Sequence, residues 1–239
     1  MSIKTALYKI GLKRGDLLTD RVMNNIPDDY AGGEFEEIFL KHLTIIGDSR
    51  EQKDWIEKAC RYYGIGFVKA VKDKKAGTEN LKEGDYTFLM DFGSVQMNYT
   101  GVVAYERKGS ISEIYNNLKS GDRDRFEREF NRFAEKGYKK VVLLLEYGNN
   151  LMDLMNADFK FIDHTGTFNK RSTGKLVFAS IMAWKQRNAK DFEIYQNTDH
   201  ETIFWWLMHD IYYWWRNEIF NQVREIEKES ENNEHSDSE

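Results

Sequence analysis

The stretch GVVAYERKGS, residues 101–110, decides how this chain is read. Val102, Val103 and Tyr105 favour β structure and lead into the polar triplet Glu106-Arg107-Lys108 at the end of a predicted strand. Side chains alternate along a strand, so Glu106 and Lys108 share one face, roughly 7 Å apart along it, and Arg107 takes the other. Upstream, Gly84-Asp85 opens GDYTFLMDF, a second predicted strand. Residues 93–101 then form the turn region of a hairpin whose return strand is VVAYERK.

Outward from this hairpin, periodicity supplies the rest. HLTIIGDSRE reads as a strand ending in a polar turn, DWIEKACRYYG as a helix ending at Gly64, and GFVKAV as a strand. SISEIYNNL and RDRFEREFNRFAEKG have helical spacing, the second with Phe126, Phe130 and Phe133 on one stripe. KKVVLLLE is a continuous apolar run suited to a strand buried on both faces. STGKLVFASIMAWKQR is a helix opened by a Ser/Thr cap, FEIYQ a short last strand, and residues 200–228 one long helix. Nearer the start, Ile3 to Leu18 is read as a helix and Asn25 to Gly33 as a loop. The alternation predicts an α/β fold with a mixed central sheet flanked by helices. It divides the chain into an extension over residues 1–42, a domain over 43–224 and an acidic tail over 225–239.

The 239 residues, 41% of them apolar and 14% aromatic, are enough for one substantial core. No secretory segment follows Met1, and no apolar run approaches the ~20 residues of a membrane span. The single cysteine, Cys60, fits an intracellular, cytoplasmic setting. The net charge of -5 is a property of the end of the chain. Residues 225–239 hold seven acids and one base, which leaves 34 bases against 33 acids elsewhere. This tail is expected to be solvated and disordered at its end. A nearly neutral body accommodates a basic groove, so charge neither supports nor excludes DNA.

Hydrolysis of a phosphodiester needs a metal to offset phosphoryl charge and to supply hydroxide near neutral pH. Mg²⁺ takes hard oxygen ligands and keeps several waters, so two or three carboxylates suffice. Asp85, Glu106 and Glu51 are the candidate ligands, and Lys108 is placed to hold the attacking water. Arg107 points away, to order the site from behind or meet the DNA backbone. Asp48 and Glu51 also read as cap and first-turn acid of the next helix. Arg123, Arg125, Arg128 and Arg132 form a partly solvated face, with Arg125 the candidate phosphate contact. Lys69, Lys72, Lys74 and Lys75 form a basic loop cluster. The five histidines lack metal-ligand spacing, so zinc is not expected. Gly174-Lys175 fails as a phosphate loop because Leu176 stands where Ser or Thr is required, so no nucleotide cofactor is expected.

An acid followed by E-x-K is the generic PD-(D/E)xK nuclease pattern, and four ordered segments together resemble the XPF family of structure-specific endonucleases. Asp48-Ser49-Arg50-Glu51 is similar to that family's D-x-R-E turn, Gly84-Asp85-Tyr86 to its GDY, and Val103 to Lys108 to its VxxERK strand. Asn117-Leu118 with residues 121–125 resembles its NL…GR element, and LLLEY at 143–147 the core strand that follows. The resemblance implies a restriction-endonuclease-like α/β fold, Mg²⁺ or Mn²⁺ as cofactor, and DNA as substrate. It implies central roles for Asp85, Glu106 and Lys108, support from Glu51, and site-organising or DNA-contacting roles for Arg50 and Arg125. The sequence departs at Ser112, where the family has Asp, with Glu113 adjacent. The 20 residues from 86 to 105 are longer than the usual compact hairpin, which brings Asp91 into consideration near the site. No helix-hairpin-helix follows residue 200, so the chain resembles a stand-alone nuclease domain, as in phage or bacterial relatives.

The expectation is a metal-dependent DNA endonuclease acting on branched, flapped or otherwise structured DNA. A non-catalytic DNA-binding or scaffolding module on the same fold, and a junction-resolving or restriction-type nuclease, are the alternatives. The aromatic run FWWLMHDIYYWW, 204–215, covers more than one helical face and suggests a homodimer interface.

Overall fold

The computed structural model describes residues 1–51, 54–70, 80–119, 128, 131–157, 159–162, 168–171, 173–188 and 192–236. The β-favouring runs pair into one mixed sheet. They are β1 (Leu43–Asp48), β2 (Gly66–Ala70), β3 (Tyr86–Asp91), β4 (Gln96–Asn98), β5 (Val103–Lys108), β6 (Lys140–Leu145) and β9 (Phe192–Gln196). The order is β2-β1-β3-β5-β6-β9, with β4 paired to β3 beside that path. β1, β3 and β5 run antiparallel in succession, while β2 joins β1, and β6 and β9 join β5, in parallel. The expected mixed α/β architecture with flanking helices is the one observed.

Different helices cover the two faces. On one face, α1 (Ile3–Lys9), α2 (Trp55–Tyr63) and the long α6 (His200–Ser236) bury Ile45, Phe88, Tyr105, Val142 and Leu144. On the other, α3 (Ile111–Lys119), α4 (Leu151–Asn156) and α5 (Thr173–Asn188) bury Ala104, Val141, Leu143 and Leu145. Consecutive residues of β6 thus enter different cores, which is why KKVVLLLE carries no polar alternation. α2 stops at Gly64, whose φ of +80° and 2.3 Å approach of a hypothetical Cβ to the Val22 carbonyl suit glycine alone. Cys60, on α2, is buried, and that burial drives its thiol pKa upward.

A buried polar network fastens α6 to three strands. Asp210 accepts hydrogen bonds from Tyr105 (2.8 Å) and Tyr195 (2.6 Å), and its carboxylate lies 2.7 Å from the Lys140 ammonium. Each of these polar tips is thereby compensated for its removal from water.

Several elements differ from expectation. The first helix ends at Lys9, followed by Gly11 at φ +102° and a separate 3₁₀ turn over Arg14–Leu17. Residues 1–42 extend no sheet among the described residues; Ile3, Leu7, Ile38 and Phe39 belong to the same core as the domain. The turn region before β5 contains β4, and a small hairpin, β7 (Phe159–Ile162) with β8 (Phe168–Arg171), was not anticipated. α6 continues to Ser236 through the stretch expected as a disordered tail. Glu and Lys are good helix formers, and extending an already packed helix needs no new nucleus.

Trp215 is fully buried, with its ring 5.9 Å from Phe39 and 6.4 Å from Phe92. Trp215→Ala is expected to lower unfolding free energy by about 3–5 kcal/mol. Chemical denaturation read by circular dichroism checks this; a change below 1 kcal/mol would contradict the packing described.

Candidate active site

Antiparallel order brings the end of β1 to the start of β3, and the start of β3 to the end of β5. Acids 37 and 21 residues apart in sequence therefore meet at one end of the sheet. The Asp48 amide donates to the Asp85 carbonyl (2.8 Å), and the Asp85 amide to the Tyr105 carbonyl (2.9 Å). The Asp85 carboxylate in turn accepts from the Arg107 amide (2.8 Å). Gly84 makes this approach possible: its φ is +77°, and a Cβ there would stand 3.0 Å from that of Ala104.

Glu106 and Lys108 share a face and are almost wholly buried, the Lys108 ammonium donating to Glu106 Oε1 at 2.5 Å. Glu113 Oε1 lies 3.8 Å from the same ammonium. This carboxylate also accepts from the Gly109 amide (3.1 Å), so it reaches from the first turn of α3 back to the strand end. Asp48, at 3% exposure, binds Arg50 through both oxygens, Nε to Oδ1 at 2.9 Å and Nη2 to Oδ2 at 2.7 Å. Arg50 also donates to the Leu81 carbonyl (2.9 Å). Its guanidinium pKa is raised, chiefly by the hydrogen bond to Asp48, with the charges of Asp48, Asp85 and Glu106 adding to it against burial. The structure thus groups Asp85, Glu106, Lys108 and Arg50, and adds Asp48 and Glu113.

Arg107 faces the opposite side, and Glu51 goes with it. Arg107 Nη1 lies 3.5 Å from Glu51, and its Nε donates to Glu146. The Glu146 carboxylate also accepts from Trp55 Nε1 (2.6 Å) and lies 3.3 Å from His200 Nε2; the His200 ring stacks on Trp55 at 4.6 Å. Burial acts to raise the Glu146 pKa. The Arg107 hydrogen bond and charge, helped by Trp55 and His200, outweigh it and hold this carboxyl below its usual range. Arg107 Nη2 is buried without a hydrogen-bond partner among the described residues.

The expected grouping of Glu51 with Asp85 and Glu106 is therefore corrected. The turn after β1 sends Glu51 to the face where Arg107 attracts it. Asp91 is also not at the site. It lies at the far end of β3, where its carbonyl meets His42 Nδ1 at 2.7 Å. Arg125 lies outside the described residues. Sequence reasoning left Glu146, Trp55 and His200 unassigned; only the acid that ends KKVVLLLE offered a signal. The sequence offers Asp48 as a helix cap; in the fold its carboxylate serves Arg50.

Among the described residues, no three His, Cys, Asp or Glu side chains already stand as a ligand set for a metal ion. The donor chemistry at Asp48, Asp85 and Glu106, carboxylate oxygens throughout, nevertheless suits a hard divalent cation. Arg50 and Lys108 supply the positive charge that buried Asp48 and Glu106 require.

No family model and no curated protein matches the sequence. Among solved structures, XPF from Aeropyrum pernix is similar over 64% of this chain, at 15% identity and a TM-score of 0.41. The chain covers 53% of that structure, about half its length. Fold and site together define a mixed α/β protein with a carboxylate–ammonium cluster at one end of its sheet.

Removing the Glu146 charge leaves the buried Arg107 short of its main partner, so Glu146→Gln is expected to destabilise by about 3 kcal/mol at neutral pH. A depressed folded pKa contributes stability above the unfolded titration range and loses it as pH falls through the folded value. The gap between parent and variant should accordingly shrink on acidification. Urea unfolding across pH measures it, and a constant gap would exclude the charge as its origin.

Proposed function

We propose that this chain is a metal-dependent DNA endonuclease that hydrolyses phosphodiester bonds, with branched or flapped DNA as substrate. One observation carries the reading: Asp85, Glu106 and Lys108, which the motif pattern links, share one end of the sheet with Asp48 and Arg50. Mg²⁺ or Mn²⁺ would be held by Asp85 and Glu106 with Asp48. When bound, it would neutralise phosphoryl charge and lower the pKa of a water. Lys108 orients that water and steadies the charge developing on the phosphoryl oxygens. Glu113 fixes the Lys108 ammonium from the position next to Ser112, a longer acid one residue on from the family's Asp. Arg50 orients the Asp48 carboxylate through a two-point contact, and offers an exposed guanidinium edge to a phosphate. Glu51, with Arg107 and Glu146, supports β5 from behind.

One geometric fact favours a second reading, a non-catalytic DNA-binding module. The Lys108 ammonium is engaged by Glu106 at 2.5 Å, which suits a permanently neutralised pair as well as a poised one. A homodimer is proposed through the side of α6 that leaves Trp206 and Tyr213 exposed at 38% and 54%.

Asp85→Asn and Lys108→Ala are each expected to reduce cleavage of fork and flap DNA at least about 100-fold in Mg²⁺ or Mn²⁺, with binding largely kept. Activity retained in both variants removes the endonuclease assignment, and binding without cleavage by the parent selects the second reading. Sedimentation should give twice the 28.3 kDa chain mass; a monomer at micromolar concentration excludes the dimer.

A further inference from the structure

Beside Arg50 lies a hollow of about 560 Å³ into which Lys82, Arg132 and Lys136 also project. These four cations come from three separate places: the turn after β1, the approach to β3, and the stretch leading into β6. The acid inside is Glu83, whose side chain is 3% exposed. It accepts from Lys136, lies 3.8 Å from Arg132 Nε, and meets the Tyr138 hydroxyl at 3.5 Å. Among the described residues, Glu83 inside and Asp48, which holds Arg50, set two acids against these four cations. The cationic side chains remain accessible, at 65% for Arg50, 49% for Arg132 and 43% for Lys136.

The hollow shares Lys82, Glu83 and Lys136 with a second of about 790 Å³, whose lining includes Ile46, Val68, Ala70 and Tyr138. Register places Val68 and Ala70 opposite Ile46 and Asp48, on the face that β5 continues with Glu106 and Lys108. Here the sheet is bare enough to leave Val68 46% exposed. A trough with cations at one rim and an apolar floor thus begins at the acidic cluster and crosses β1 and β2.

We infer that this trough binds one single-stranded segment of the DNA, its phosphates on Arg50, Lys82, Arg132 and Lys136 and its bases over Ile46, Val68 and Tyr138. The inference rests on the endonuclease reading and specifies its substrate. Phosphates require several cations spaced along a path, and unpaired bases require an apolar surface that a duplex would not present. A trough of this volume holds a few nucleotides of one strand.

The test compares the parent with Lys82→Gln/Arg132→Gln/Lys136→Gln by fluorescence polarisation. The ligands are a short oligothymidylate and a matched duplex, without divalent metal, over a salt series. Removing three phosphate contacts should weaken oligothymidylate binding at least about tenfold and make the slope of log K against log salt shallower by about 2. Cleavage of flap DNA should lose kcat/KM mainly through KM. Lys82→Glu, an exposed change, repeats the measurement should the triple variant melt early. Unchanged oligothymidylate binding in the variants, beside a parent that cuts DNA, overturns the trough and leaves the nuclease standing. Loss of that binding in the variants, beside a parent that binds the single strand but never cuts, upholds the trough and ends the nuclease reading. A parent that binds no single strand, or variants that lose only duplex binding, overturns the inference.

Discussion

The site depends on how Asp85 is tied. Its carbonyl receives the Asp48 amide, its amide reaches the Tyr105 carbonyl, and its carboxylate takes the Arg107 amide. One residue thus joins the ends of three strands that are remote in sequence. A side chain at position 84 would push against Ala104, so glycine there lets β3 and β5 close at this point. Remove this connection and the acids of β1 and β5 lose their common reference.

Charge is then divided by the pleat. On one face Lys108 and Arg50 hold Glu106 and Asp48; on the other Arg107 is held by Glu146 and Glu51. Buried charges survive only when paired, and here each face is compensated separately. The first set stands beside the open trough over β1 and β2. The second is enclosed by α2 and the start of α6 through Trp55 and His200. The Lys140–Asp210–Tyr195 network anchors α6 farther along and thereby fixes where His200 can stand.

Much of this was legible because the signals are local. KKVVLLLE carries its two-faced burial in an unbroken apolar run, VVAYERK shows by alternation which face each charged residue takes, and Gly64 marks the end of α2. The convergence of Asp85 with Glu106 and Lys108 follows from hairpin pairing, which the GDY and ERK segments already imply. Glu51 was misplaced because a turn resets side-chain direction, and its ion partner lies 56 residues away. Glu146 and His200 are adjacent only in three dimensions, so no pattern announced them. Asp48 was ambiguous because a cap and a buried ion-pair acid have the same neighbours in sequence. α6 outran its expected end because composition reports solvation but not whether a packed helix lies just upstream.

The division of Glu106, Arg107 and Lys108 between two faces has an evolutionary corollary. A one-residue slip of β5 against its neighbours would send Arg107 outward to the acids and drive Glu106 and Lys108 into the aromatic core. Odd-numbered slips are therefore ruinous here, while a two-residue slip would preserve orientation and only translate the cluster along the sheet. Insertions in the exposed turns that flank β4 would leave the cluster in place, provided that β5 re-enters in phase.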